Sequence, residues 1–109
     1  MSNTLPRPIE IYFETDRMEA IDRLSDCFAA DAVVTDEKRT HEGIEAIFAW
    51  KRDVMETVTY TVTLLKLEEV GDKTVVTGRL EGDFPGSPAV LRYFFTLAGD
   101  RITSLEIRP

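Results

Sequence analysis

The chain has 109 residues, 43% hydrophobic and 30% charged, and carries a formal net charge of −7. That length suits one domain with a single core that needs neither disulfide nor metal to close it. The charge argues against nucleic acid and anionic membrane surfaces, because Lys38-Arg39 and Lys51-Arg52 are isolated basic doublets with acids beside them.

No apolar stretch approaches the 18 residues of a membrane span, and Met1 to Pro8 lacks the apolar core of a signal peptide. A cytoplasmic location is the default expectation. Cys27 is the single cysteine, so no internal disulfide can form. Its helical spacing with Ile21 and Leu24 marks it as a small buried hydrophobe.

Leu5, Ile9, Tyr12 and Phe13 recur at helical spacing and predict a first helix, with Pro6 and Pro8 in its opening turn. Asp16 and Glu19 have the spacing of a capping box, predicting a second helix that buries Ala20, Ile21, Leu24, Cys27 and Phe28. Ala32 to Asp36 reads as a short strand, and Glu37 to Thr40 as a loop. A third helix is predicted from His41 to Met55, with Ile44, Ile47, Phe48 and Met55 inward and Trp50 on its flank.

After Glu56 the sequence turns β-branched and aromatic. Four long strands are predicted: Thr57 to Leu67, Thr74 to Leu80, Ala89 to Leu97 and Ile102 to Ile107. Gly71-Asp72 and Gly99-Asp100 supply tight turns, while Phe84 to Pro88 makes a longer one. Helices followed by an antiparallel meander give an α+β fold, and a long sheet covering three helices must curl and leave a cavity.

Asp36 is the candidate acid or base, because it ends the apolar run Val33-Val34 at the expected cavity lip; a solvated strand-end aspartate is the plainer reading. Tyr12 could donate its phenol into the same space or simply pack there. One group would move a proton while the other stabilises an oxyanion. His41, the only histidine, suits a solvated loop or the cavity mouth, and with one distant cysteine it makes a zinc site improbable. Arg79, Glu81, Asp83 and Arg92 read as an exposed charged sheet face. There is no phosphate loop, nucleophile elbow or carboxylate pair at metal spacing.

The run Tyr12 … Phe28-Ala29-Ala30-Asp31-Ala32-Val33-Val34-Thr35-Asp36, followed by His41-Glu42-Gly43-Ile44-Glu45-Ala46-Ile47, resembles the NTF2-like superfamily in its SnoaL-like and ketosteroid-isomerase-like branch. The resemblance spans nearly the whole chain. It implies a cone-shaped curved antiparallel sheet, one short and four long strands, wrapped around three N-terminal helices. It also implies a homodimer through the outer sheet face, where Val90 and Phe94 lie, and no cofactor.

The general base of ketosteroid isomerase matches Asp36, and its oxyanion-hole tyrosine matches Tyr12. The third catalytic group of that enzyme, a protonated aspartic acid, aligns with Tyr93, a departure that puts steroid isomerisation in doubt. Glu106 is a loose match to late-strand acids elsewhere in the superfamily. The implied pocket would bind a small hydrophobic carbonyl-bearing molecule among Val34, His41, Phe48, Trp50, Leu80, Leu91, Phe95 and Leu105. An isomerase, a cyclase, or a ligand carrier without catalysis would each fit such a pocket.

Overall fold

A computed structural model describes residues 5–18 and 21–109, with side chains omitted for 16–18. The order is helix α1 (Arg7–Met18), a 3-10 helix (Ile21–Asp26), strands β1 (Phe28–Asp36) and β2 (Arg39–Glu42), helix α2 (Ile44–Thr57), and strands β3 (Tyr60–Val70), β4 (Lys73–Gly82), β5 (Ala89–Ala98) and β6 (Arg101–Arg108). The strands form one curved sheet in the order β2-β1-β6-β5-β4-β3.

The α+β class and the curled sheet are as the sequence suggests, and three details differ. First, the sheet has six strands and is mixed: β1 runs parallel to β6, with Val34 beside Leu105 and Asp36 beside Ile107. Second, Arg39 to Glu42 is a strand. It pairs antiparallel with β1 across a two-residue turn in which Glu37 and Lys38 both have positive φ, 51° and 66°. Such turns match the twist of paired strands and usually carry Asn or Gly, so Glu-Lys conceals the hairpin. Third, the second helix is a single 3-10 segment and β1 begins already at Phe28, whereas the last helix precedes the long strands as expected. The proposed Asp16–Glu19 capping box falls outside the described residues, although the backbone of Asp16 already belongs to α1.

α2 begins at Ile44 because Gly43 takes φ 88°, a conformation that L side chains rarely adopt. There its N–H donates to Ala32 O at 2.8 Å while its carbonyl accepts from Ile47 N at 3.0 Å, joining β1 to the helix start. The core gathers Ile9, Tyr12 and Phe13 of α1, Leu24, Phe28 and Val34, Ile47 of α2, and Phe95, Ile102 and Leu105 of the sheet. Tyr12 meets Phe13, Phe28, Tyr93 and Phe95 edge-on, with ring centroids 5.1–6.3 Å apart. Such pairs add to area burial, by about 0.5–1.5 kcal/mol each.

Cys27 is fully buried, and its thiol donates to Leu24 O at 3.4 Å. Burial, reinforced by the charge of Asp26, pushes its pKa up to about 12. The folded chain therefore holds this proton more tightly than the unfolded one. The resulting stability is complete below the ordinary thiol value of 9.0 and is lost as pH rises toward about 12. Cys27→Ala is expected to flatten the alkaline limb of a stability–pH curve, and a thiol reagent is expected to label wild-type Cys27 only on unfolding.

Candidate functional site

The curl of the sheet leaves a cavity of about 1210 Å³ between α2, the ends of β1 and β6, and the inner face of β3 to β5. All three tyrosines of the chain and its one tryptophan line it. Its deep wall is formed by Tyr12, Lys51 and Tyr93, each at most 2% exposed. Val54, Leu80, Leu91 and Ile107 give apolar sides, while Glu37, Lys38, Arg108 and Pro109 stand at the exposed rim.

Asp36 closes β1 at this cavity, half-buried, and its Oδ2 accepts a hydrogen bond from Trp50 Nε1 at 3.2 Å. That bond fixes the carboxylate against α2. The His41 ring lies behind, 5.9 Å from Trp50 and tilted by 33°. From β2, His41 pairs with Val34 of β1 and helps seat Trp50 without lining the cavity. Glu106 does line it, held by Arg108 Nε at 2.8 Å.

Of the candidate site residues, Asp36, Tyr12, Tyr93, Trp50, Leu80 and Leu91 all reach the cavity. Val34, Phe95 and Leu105 do not: they are at most 1% exposed and belong to the core. Phe48 is also absent from the lining and packs, half-buried, against that core. β1 lies beside β6 and sets Val34 against Leu105 in the core, while Phe95 packs against Tyr12 and Phe13 of α1.

The sequence alone does not single out Lys51 or Tyr60, because Lys51-Arg52 stands there as an isolated basic doublet with an acid beside it. In the structure Lys51 is 1% exposed. Its Nζ donates to Tyr60 Oη at 3.2 Å and Tyr12 Oη at 3.4 Å. The ammonium also lies over the rings of Tyr12 (4.8 Å), Trp50 (5.2 Å) and Tyr60 (6.0 Å). Aromatic faces stabilise a cation that burial would otherwise penalise. A signal was available: Lys51 stands four residues after Ile47 and three before Val54, on the buried stripe of α2.

The arrangement offers a carboxylate lining the cavity, a cation with two buried phenols at its deep wall, and the part-buried phenol of Tyr60 beside them. A carboxylate can take a proton, and phenols backed by an ammonium can donate to an oxygen gathering negative charge. Among the described residues no group of three His, Cys, Asp or Glu side chains is placed to hold a metal ion. No helix among them is long and apolar enough to cross a membrane.

A 40% identical protein from Sinorhizobium meliloti, provisionally described as a polyketide cyclase, superposes with a TM-score of 0.90 over 95% of each chain. A protein of ketosteroid isomerase-like fold from Catenulispora acidiphila, solved with trimethylamine, is 23% identical; it matches with a TM-score of 0.82 over 97% of this chain and 87% of that one. A provisionally described ketosteroid isomerase from Kribbella flavida is 14% identical, with a TM-score of 0.79 over 95% of this chain and 76% of that one. No functionally curated protein matches the chain. Residues 10–105 match the model of the SnoaL-like domain, and with that span covering most of the sequence the chain belongs to the SnoaL-like family.

Proposed function

We propose that the cavity binds a small carbonyl-bearing molecule and that the protein moves a proton at the carbon beside that carbonyl, as an isomerase or cyclase does. Asp36 takes the proton, and Tyr12, with Tyr93 beside it, donates to the oxygen that becomes the enolate. The observation that carries this reading is that Asp36 and the buried phenols of Tyr12 and Tyr93 line one largely apolar cavity. Removing an α-proton is practicable only when the enolate oxygen is stabilised at the same moment, so the two kinds of group are needed together. Trp50 supports the assignment by holding the Asp36 carboxylate in place.

The 40% identity to a protein provisionally described as a polyketide cyclase supports chemistry on carbonyl compounds. The test is deuterium exchange from solvent into the α-positions of a panel of ketones, followed by NMR. Wild-type protein is expected to accelerate exchange for ketones that bind. Asp36→Asn is expected to lower that rate by about 10²–10⁴-fold, the usual contribution of general acid–base catalysis, with binding retained. Binding without exchange in the wild type would leave a ligand carrier of the same fold.

A further inference from the structure

The two oxygens of Asp36 are not equivalent. Oδ2 accepts from Trp50 Nε1 at 3.2 Å, and among the described residues no other group donates to this half-buried carboxylate. A buried indole N–H needs an acceptor, but a side-chain amide would serve it without drawing a charge out of water. What the carboxylate adds is Oδ1, a second oxygen at the cavity that no described residue engages. The donor, by contrast, is firmly seated. Trp50 is 7% exposed on α2, with its ring 5.2 Å from the Lys51 ammonium and 5.9 Å from the His41 ring. His41 is paired with Val34, on the strand that ends in Asp36. The indole is thus held from the helix and from the β1–β2 hairpin together.

We infer that Trp50 is the positioning residue of the proton transfer: by holding Oδ2, it makes Oδ1 the oxygen that takes the α-proton. The inference rests on the reading of Asp36 as the base. In the step the substrate C–H bond breaks, its proton forms an O–H bond at Oδ1, and the electron pair passes into the enolate. Oδ2 becomes a carbonyl oxygen and still accepts the indole N–H, since either form of the carboxyl group offers an acceptor there. The carboxyl plane therefore keeps its orientation while the proton is taken and returned. Loss of the N–H has two opposed effects. An anion deprived of a donor is a stronger base and reacts faster, whereas one deprived of its anchor can turn away from the substrate and reacts more slowly. Orientation is the effect assigned to Trp50, so the sign of the change is the test.

Trp50 is the only tryptophan. A tryptophan auxotroph fed 3-benzothienylalanine, in which sulfur replaces the N–H, therefore alters this one group and keeps the fused ring. Protein labelled in the same way with 5-fluorotryptophan, which retains the N–H, sets the reference rate. The readout is solvent deuterium entering the α-positions of 2-tetralone, followed by NMR above the uncatalysed background. The benzothienyl protein is expected to exchange saturating 2-tetralone about tenfold to a hundredfold more slowly, with half-saturation shifted by less than about threefold. In Asp36→Asn the same replacement is expected to lower the remaining rate no further, because Trp50 acts through that carboxylate. A rate at or above the reference, a loss confined to half-saturation, or an equal further loss in Asp36→Asn would each overturn the inference and leave Asp36 as the base. Trp50→Phe, which also lacks the N–H, is read by the same outcomes should the benzothienyl chain not fold. An Asp36→Asn protein as fast as wild type, or a wild type that exchanges no 2-tetralone, would remove the proton-transfer reading and this inference with it.

Discussion

Truncating Phe95 to alanine is expected to lower the unfolding free energy by about 3–5 kcal/mol, the range for removing a buried aromatic ring from a packed core. The ring is fully buried, with its centroid 5.7 Å from Tyr12, 6.0 Å from Phe13 and 6.3 Å from Tyr93. Its deletion would leave a hole bounded by three other aromatics, which cannot all close on it from two different elements. A chemical denaturation series would show the midpoint falling with little change in slope. The same variant separates wall from core. Were Phe95 a pocket residue, its loss would weaken ligand binding and leave stability largely intact.

Alternation along β5 places Leu91, Tyr93, Phe95 and Leu97 on one face. That assignment of the face is sound. Tyr93 and Phe95 stack at 12° on the inner side, and Gly78 of β4 leaves room for the Tyr93 ring, which a Cβ would meet at 3.4 Å. Alternation gives the side of a sheet but not the depth along it. The inner face is covered by α1 at one end and hollow at the other, so Tyr93 lines the cavity while Phe95, two residues on, lies under the helix. Val34 and Leu105 were misplaced for the same reason. Their neighbours Asp36 and Ile107, two residues further along the same strands, reach the cavity.

Lys51 is the opposite case, since the helical period contained the information and the residue type hid it. A lysine beside an arginine reads as solvent-facing, because lysine is almost never fully buried. Here the burial of Lys51 depends on Tyr12 from α1 and Tyr60 from β3, residues 39 and 9 positions away in the chain. Pattern within one element cannot show a partner from another. The β1–β2 hairpin was hidden more locally, by Glu37 and Lys38 in a turn that usually selects glycine or asparagine. Both residues stand at the cavity rim, so a backbone conformation unusual for their type shapes the entrance.

Converting Tyr12 to phenylalanine is expected to cut α-proton exchange by about 10²–10³-fold, because one oxyanion donor is typically worth about 2.7–4 kcal/mol in the transition state. The ring would remain in place, as its four aromatic contacts do not involve the hydroxyl. The stability cost should be about 1–3 kcal/mol, because the buried ammonium of Lys51 loses one acceptor. That cost arises whatever the role of Tyr12, so the large loss of rate is the signature of a donor, whereas a packing role would leave the rate unchanged. Tyr93→Phe and Tyr60→Phe, measured beside it, rank the three phenols. If Tyr60→Phe proves the most damaging to turnover at saturating ketone, the oxyanion sits on the Lys51–Tyr60 side of the cavity. If Tyr12→Phe exchanges as fast as wild type while Asp36→Asn does not, the base stands and its partner is a different phenol.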